Sequence, residues 1–178
     1  DTPYNGLGVA FLQSARPGAV LGQAEEALQG SVNIKPRPVS LNNLGTVYLL
    51  QGNEQAARQQ YERAASLDPN DAAVANNLGV YYLKHASYNQ AIDEFAKAIE
   101  ANLYDPTAYC NLGLVYLTQE RLRDTIRKRV EAIAASGTSE ASSIIASYLT
   151  FLEEVTRIQP EQYEQYCERF KSVLQARR

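Results

Sequence analysis

The segments LNNLGTVYLL (residues 41–50), ANNLGVYYLK (75–84) and YCNLGLVYLT (109–118) are three versions of one motif, with Gly45, Gly79 and Gly113 standing 34 residues apart. A fixed period of this size is an internal repeat. Glycine inside a helix is unfavourable by roughly 0.8–1 kcal/mol relative to alanine, so its return at one phase calls for a compensating contact. Close packing supplies one. Helix axes approach to about 8–10 Å only over small side chains, and a missing Cβ lets a second helix lie down on the first.

The rest of each period identifies that second helix. Gly45 is followed by Tyr48, Ala57, Tyr61, Ala64 and Pro69, and Gly79 at the same offsets by Tyr82, Ala91, Phe95 and Ala98, with Leu103 where the proline would recur. Leu44, Gly45 and Tyr48 share one helical stripe, and Ala57, Tyr61 and Ala64 share another. Short turns at Gln51-Gly52-Asn53 and Leu67-Asp68-Pro69-Asn70 separate them. On these residues the chain resembles the tetratricopeptide repeat family, whose helix–turn–helix unit carries this order of Leu-Gly, Tyr, Ala, aromatic, Ala and Pro. The resemblance implies an all-α, right-handed helical solenoid.

Residues 38–71 and 72–105 read as full repeats. In 106–137 the first helix, about Pro106 to Thr118, is intact. The second has Thr125 and Arg129 where an alanine and an aromatic belong, and only Ala132 conforms. Such a degenerate helix suits the end of a stack, where no further repeat follows. Upstream, 1–37 reads as a divergent repeat: Tyr4, Leu7, Gly8 and Phe11 follow the first-helix spacing, and Ala24, Leu28, Ser31 and Pro36 the second. A longer loop around Ser14 to Gly18 accounts for the 37 residues from Gly8 to Gly45. Residues 138–178 read as a two-helix C-terminal extension of the same domain. One helix is marked by Ile144, Ile145, Tyr148, Leu149, Leu152, Val155 and Ile158. The other follows Pro160, with Tyr163, Tyr166, Cys167, Phe170, Val173 and Leu174 in a stripe. Ten helices are expected, with 137–139 the one plausible seam.

With 17 basic and 20 acidic residues the net charge is −3, which argues against nucleic acid as the main ligand. No apolar run approaches the ~20 residues that span a bilayer, and direct membrane insertion is not expected. A soluble, cytoplasmic protein is the default. Because the chain begins at Asp1 and contains no methionine, its original start is expected to have been removed, which leaves room for an upstream export signal.

Catalytic chemistry finds little support, and neither a cofactor nor a metal site is expected. The single histidine, His85, lies at the end of a repeat helix, and the Asn5-Gly6-Leu7-Gly8 stretch lacks the third glycine of a dinucleotide loop. Adjacent acids such as Glu25-Glu26 and Glu153-Glu154 point about 100° apart on a helix and cannot face one bond from two sides. Cys110 and Cys167, 57 residues apart, make no metal site alone. They read either as buried small hydrophobes or as a disulfide tying the last helix to the third repeat.

The resemblance implies a concave groove lined by the first helices. Its positions, six and three before each glycine and one, four and five after it, hold Val39, Asn42, Thr46, Leu49 and Leu50; Ala73, Asn76, Val80, Leu83 and Lys84; and Thr107, Cys110, Leu114, Leu117 and Thr118. Two before each glycine stand Asn43, Asn77 and Asn111, each offering donor and acceptor. They read as a ladder along a peptide backbone or as bonds within and between helices. The family's clamp for chaperone C-termini needs lysines and asparagines where this chain has Asn42, Thr46, Asn77, Thr107 and Asn111. Only Asn77 matches, so the groove suits an amphipathic helix or a peptide with aliphatic anchors better than a free carboxylate. Arg121, Arg123, Arg127, Lys128 and Arg129 form a basic helix, either solvated or facing an acidic partner.

The expected role is a non-enzymatic adaptor that binds a peptide or helix of another protein and supports assembly of a complex. The alternatives are a biogenesis chaperone shielding an unassembled subunit, or the targeting domain of a larger enzyme. Unpaired stack ends also leave a homodimer open.

Overall fold

A computed structural model describes residues 17–177. The all-α class expected from the repeats is the class observed, with helix–turn–helix units followed by a two-helix extension and, among the described residues, no strand. The helix expected over Tyr4 to Phe11 lies outside the described residues.

The chain divides into two compact units, residues 1–69 and 70–178. In the first, α1 (Pro17–Ile34) packs on α2 (Pro38–Leu50), and α2 packs on α3 (Glu54–Leu67). Pro17 and Gly18, expected in a loop, instead form the first turn of α1, a position that suits proline because the N–H it lacks would find no intrahelical partner there. Glu25 on α1 accepts a hydrogen bond from Gln51 Nε2 at 2.9 Å and another from Tyr48, which ties α1 to the far end of α2.

The reason α2 and α3 lie so close is visible at Gly45. A Cβ there would stand 2.6 Å from the Tyr61 ring, and Tyr61, Ala57 and Ala64 are buried beneath α2. The turn between the helices is closed by Gly52 in the left-handed region, φ 81°, and by Asn53, whose side chain accepts from the Ala56 N–H at 3.2 Å.

The second unit contains α4 (Ala72–Lys84), α5 (Tyr88–Ala101), α6 (Pro106–Thr118), α7 (Arg123–Ser136), α8 (Ser139–Val155) and α9 (Tyr163–Arg177). Asp71 and Asp105, one repeat apart, cap α4 and α6 by accepting from Ala73 and Thr107 N–H, both at 2.9 Å. The α4/α5 hairpin reproduces the α2/α3 one: a Cβ on Gly79 would stand 2.5 Å from the Phe95 ring, and Ala86 at the Gly52 position also adopts positive φ, 55°.

The third hairpin departs from this pattern. A short 3₁₀ turn, Glu120–Leu122, replaces the left-handed residue between α6 and α7. The buried residues of α7 are Ile126, Val130 and Ile133, each one position after Thr125, Arg129 and Ala132, and Ala132 itself is exposed. One residue is about 100° of helix rotation. The helix has turned to bury its aliphatic stripe, because Thr125 and Arg129 cannot enter an apolar interface without losing their hydration. In this orientation α7 packs on α5 and α8, and more lightly on α6.

The extension fills the resulting vacancy on α6. Phe151 of α8 and Tyr163 of α9 close on Gly113, at 3.0 and 2.5 Å from where its Cβ would be. Tyr109, Tyr148, Phe151 and Phe170 make an aromatic cluster with centroid separations of 4.8–5.7 Å. Tyr148, wholly buried, donates its hydroxyl hydrogen to Tyr109 O at 2.8 Å. Val173, expected in the apolar stripe of α9, is 40 % exposed, and the burial of that helix is carried by Phe170 and Leu174.

Candidate functional site

The residues expected to line a groove fall on the first helices of the repeats, and none of them joins the core. In the first unit Asn42, Asn43, Thr46 and Leu49 are half-buried on α2, with Val39 and Leu50 exposed. The Thr46 hydroxyl donates to Asn42 O at 3.1 Å and lies 3.2 Å from the Tyr61 hydroxyl, so it is engaged with its own hairpin.

In the second unit Asn76, Asn77, Val80 and Leu83 are half-buried on α4, and Lys84 is exposed. On α6, Cys110, Asn111 and Leu117 are half-buried and Leu114 is 37 % exposed. The two helices are neighbours, bridged where Asn111 Nδ2 donates to Asn76 Oδ1 at 2.8 Å. An asparagine amide has two N–H groups and one carbonyl. The bridge therefore commits one donor of Asn111 and fixes the plane of its amide. Leucines and a valine flank it on both helices, giving an apolar strip with a polar pin.

Cys110 differs from the other groove positions because α9 lies on it. Tyr163 donates its hydroxyl hydrogen to Cys110 O, and Cys167, one turn later, forms a side-chain hydrogen bond with the Cys110 thiol. Both cysteines are free and partly buried. The bond to Cys167, reinforced by burial, pushes the Cys110 thiol far up. Cys167 is moved down, because its thiolate would accept hydrogen bonds from Cys110 and Tyr163. No spacing argument points to this pair, although the missing aromatic at Arg129 and the surplus of aromatics at 163–170 are complementary signals in the sequence.

The basic helix is largely spent on internal partners. Arg123 pairs with Glu120 at 3.2 Å and donates to Tyr116 O at 3.1 Å. Arg127 pairs with Glu153 at 3.3 Å, and Arg129 with Asp93 of α5 at 3.5 Å. Such partly exposed pairs each contribute about 0–1 kcal/mol, and their acids offset much of the positive charge. Arg121 and Lys128 remain exposed. His85 caps α4, its Nδ1 2.8 Å from Tyr81 O and its ring stacked on Tyr81 at 4.2 Å. Among the described residues no group of three or more His, Cys, Asp or Glu is placed to hold a metal ion, and no helix is long and apolar enough to cross a membrane.

Family models of the tetratricopeptide repeat match residues 38–71 and 76–124. The chain is a tetratricopeptide repeat protein. No curated protein matches it as a relative. Tetratricopeptide repeats are in general protein–protein interaction modules. In this one the second matched segment runs through Gly79, Gly113 and the Asn76–Asn111 bridge and ends at the start of α7, just where the third hairpin leaves the pattern of the other two.

Proposed function

We propose that the protein is a non-enzymatic adaptor that holds an amphipathic helix, or a peptide with aliphatic anchors, of a partner protein against the first helices of its repeats and so supports assembly of a complex. The observation that carries this reading is the α4/α6 strip, where Val80, Leu83, Leu114 and Leu117 stay partly open to solvent on either side of the Asn76–Asn111 bridge. Aliphatic side chains at successive turns of two neighbouring helices match the i, i+3, i+4 and i+7 anchors of an apolar helix face. The bridge offers the remaining amide hydrogen of Asn111 to a polar group of the ligand. Lys84 at the edge of the strip favours a ligand with acidic flanks.

The test compares captures from native lysate by the parent chain and by a Leu83→Arg, Leu114→Arg double variant, with a Lys128→Glu variant as control. Arginine keeps helix propensity, and circular dichroism checks that all three remain helical. A partner held by the parent and the control but lost by the double variant supports the reading. A partner held by the double variant and lost by the control assigns recognition to the basic helix and overturns it.

A further inference from the structure

Cys110 and Cys167 come from opposite ends of the second unit yet meet across one helix contact. Three features hold them there. Tyr163, one turn before Cys167, fills the space over Gly113, which lies three residues after Cys110. Its hydroxyl donates to Cys110 O itself, and Phe170 packs on Tyr109 with centroids 5.2 Å apart. Cys167 is thereby pinned from both sides along α9, and the two thiols touch without being joined. We infer that Cys110 and Cys167 form a built-in oxidation site, which a small neutral disulfide converts into an intramolecular disulfide linking α6 to α9.

The order of events follows from the surroundings. Cys167 is the thiol whose ionised form is supported by neighbouring donors, and the thiolate is the nucleophile in exchange. Its sulfur attacks one sulfur of the reagent, forming a mixed disulfide and expelling one thiolate. Cys110 then loses its proton and attacks the Cys167 sulfur, forming the Cys110–Cys167 bond and expelling the second thiolate. Two protein thiols are oxidised and one reagent disulfide is reduced, and the two protons end on the two released thiols. Cys110 is a poor first nucleophile because burial and its bond to Cys167 favour its neutral form. Glu164, Glu168 and Asp105 surround the pair, and their charge disfavours an anionic reagent, which is why the inferred reactant is a neutral one. This site does not depend on the groove reading.

The experiment uses the full chain, reduced and native, with excess 2-hydroxyethyl disulfide, acid quench, intact mass and peptide mapping. The expected product is a monomer lighter by two hydrogens, with no reagent attached, both titratable thiols lost together, and the Cys110 and Cys167 peptides joined until a reductant is added. In Cys110→Ser the expected product is a lasting mixed disulfide on Cys167. The inference is overturned if the native parent keeps both thiols, carries reagent on either cysteine without a cross-link, or cross-links between chains. The parent alone decides this, whether or not the serine variant folds.

Discussion

Gly113 of α6 and Tyr163 of α9 occupy one space: a Cβ on the glycine would stand 2.5 Å from the tyrosine hydroxyl. In the two preceding hairpins the same space is filled from within the repeat, by Tyr61 and Phe95. Removing the borrowed aromatics should therefore loosen the last hairpin as a core truncation does. Phe151→Ala and Tyr163→Ala are each expected to lose about 3 kcal/mol, read from urea unfolding of the second unit. Losses below about 1 kcal/mol would show that α8 and α9 are not structural partners of α6.

The repeat glycines should respond to a methyl group in opposite ways according to what faces them. Gly79→Ala would press a methyl into the fully buried Phe95 ring, and overpacking of about 1–3 kcal/mol should outweigh the propensity gain of about 1 kcal/mol. Gly30→Ala in α1, where nothing lies within 4 Å, should raise stability by about 0.5–1 kcal/mol. Equal effects at the two sites would refute the close-packing account.

Ala86 holds a left-handed backbone, φ 55°, at the place where Gly52 has φ 81°. A side chain is strained in that region and glycine is not. Ala86→Gly should accordingly gain about 1 kcal/mol, and Gly52→Ala should lose about as much. Thermal unfolding of the two variants checks both signs.

Much of this architecture is legible from three glycines and the residues at fixed offsets from them. Gly45 with Tyr61 and Gly79 with Phe95 predict both hairpins, because the offset of 16 residues carries the contact within one local unit. The third hairpin was harder to read. Its second helix buries Ile126, Val130 and Ile133, a good stripe that a fixed register hides by one residue. The union of Gly113 with Tyr163 and of Cys110 with Cys167 spans 50 residues or more of chain, and no periodicity encodes a partner at that distance. The groove positions were readable as exposed faces, but the Asn76–Asn111 bridge was not, because donor and acceptor sit at different offsets in their repeats.

Alkaline pH should unfold the protein through its tyrosines. Burial raises the phenol pKa of Tyr61, Tyr109, Tyr148 and Tyr163 above the usual 10. The folded state thus keeps protons that the unfolded chain releases. Their contribution is complete below pH 10 and is lost as pH rises above it, by up to about 1.4 kcal/mol per group per pH unit. Denaturant midpoints should be flat from pH 8 to about 10 and fall steeply beyond, with phenolate absorbance of the buried group appearing only on unfolding. Smooth titration of all 12 tyrosines in a folded chain would contradict this.

The borrowed aromatics also decide where such a protein can grow. A repeat stack is an open polymer, and each added unit presents the next with the same unsatisfied surface. Here α8 and α9 act as a chain terminator: they consume the free valence of α6 by occupying Gly113 and Cys110. Another 34-residue unit spliced after Ser136 would meet a site already filled. Spliced between Asn70 and Asp71, at the junction of two full periods, it would reproduce the junction it interrupts, so the array is extensible in its interior and sealed at its C-terminal end.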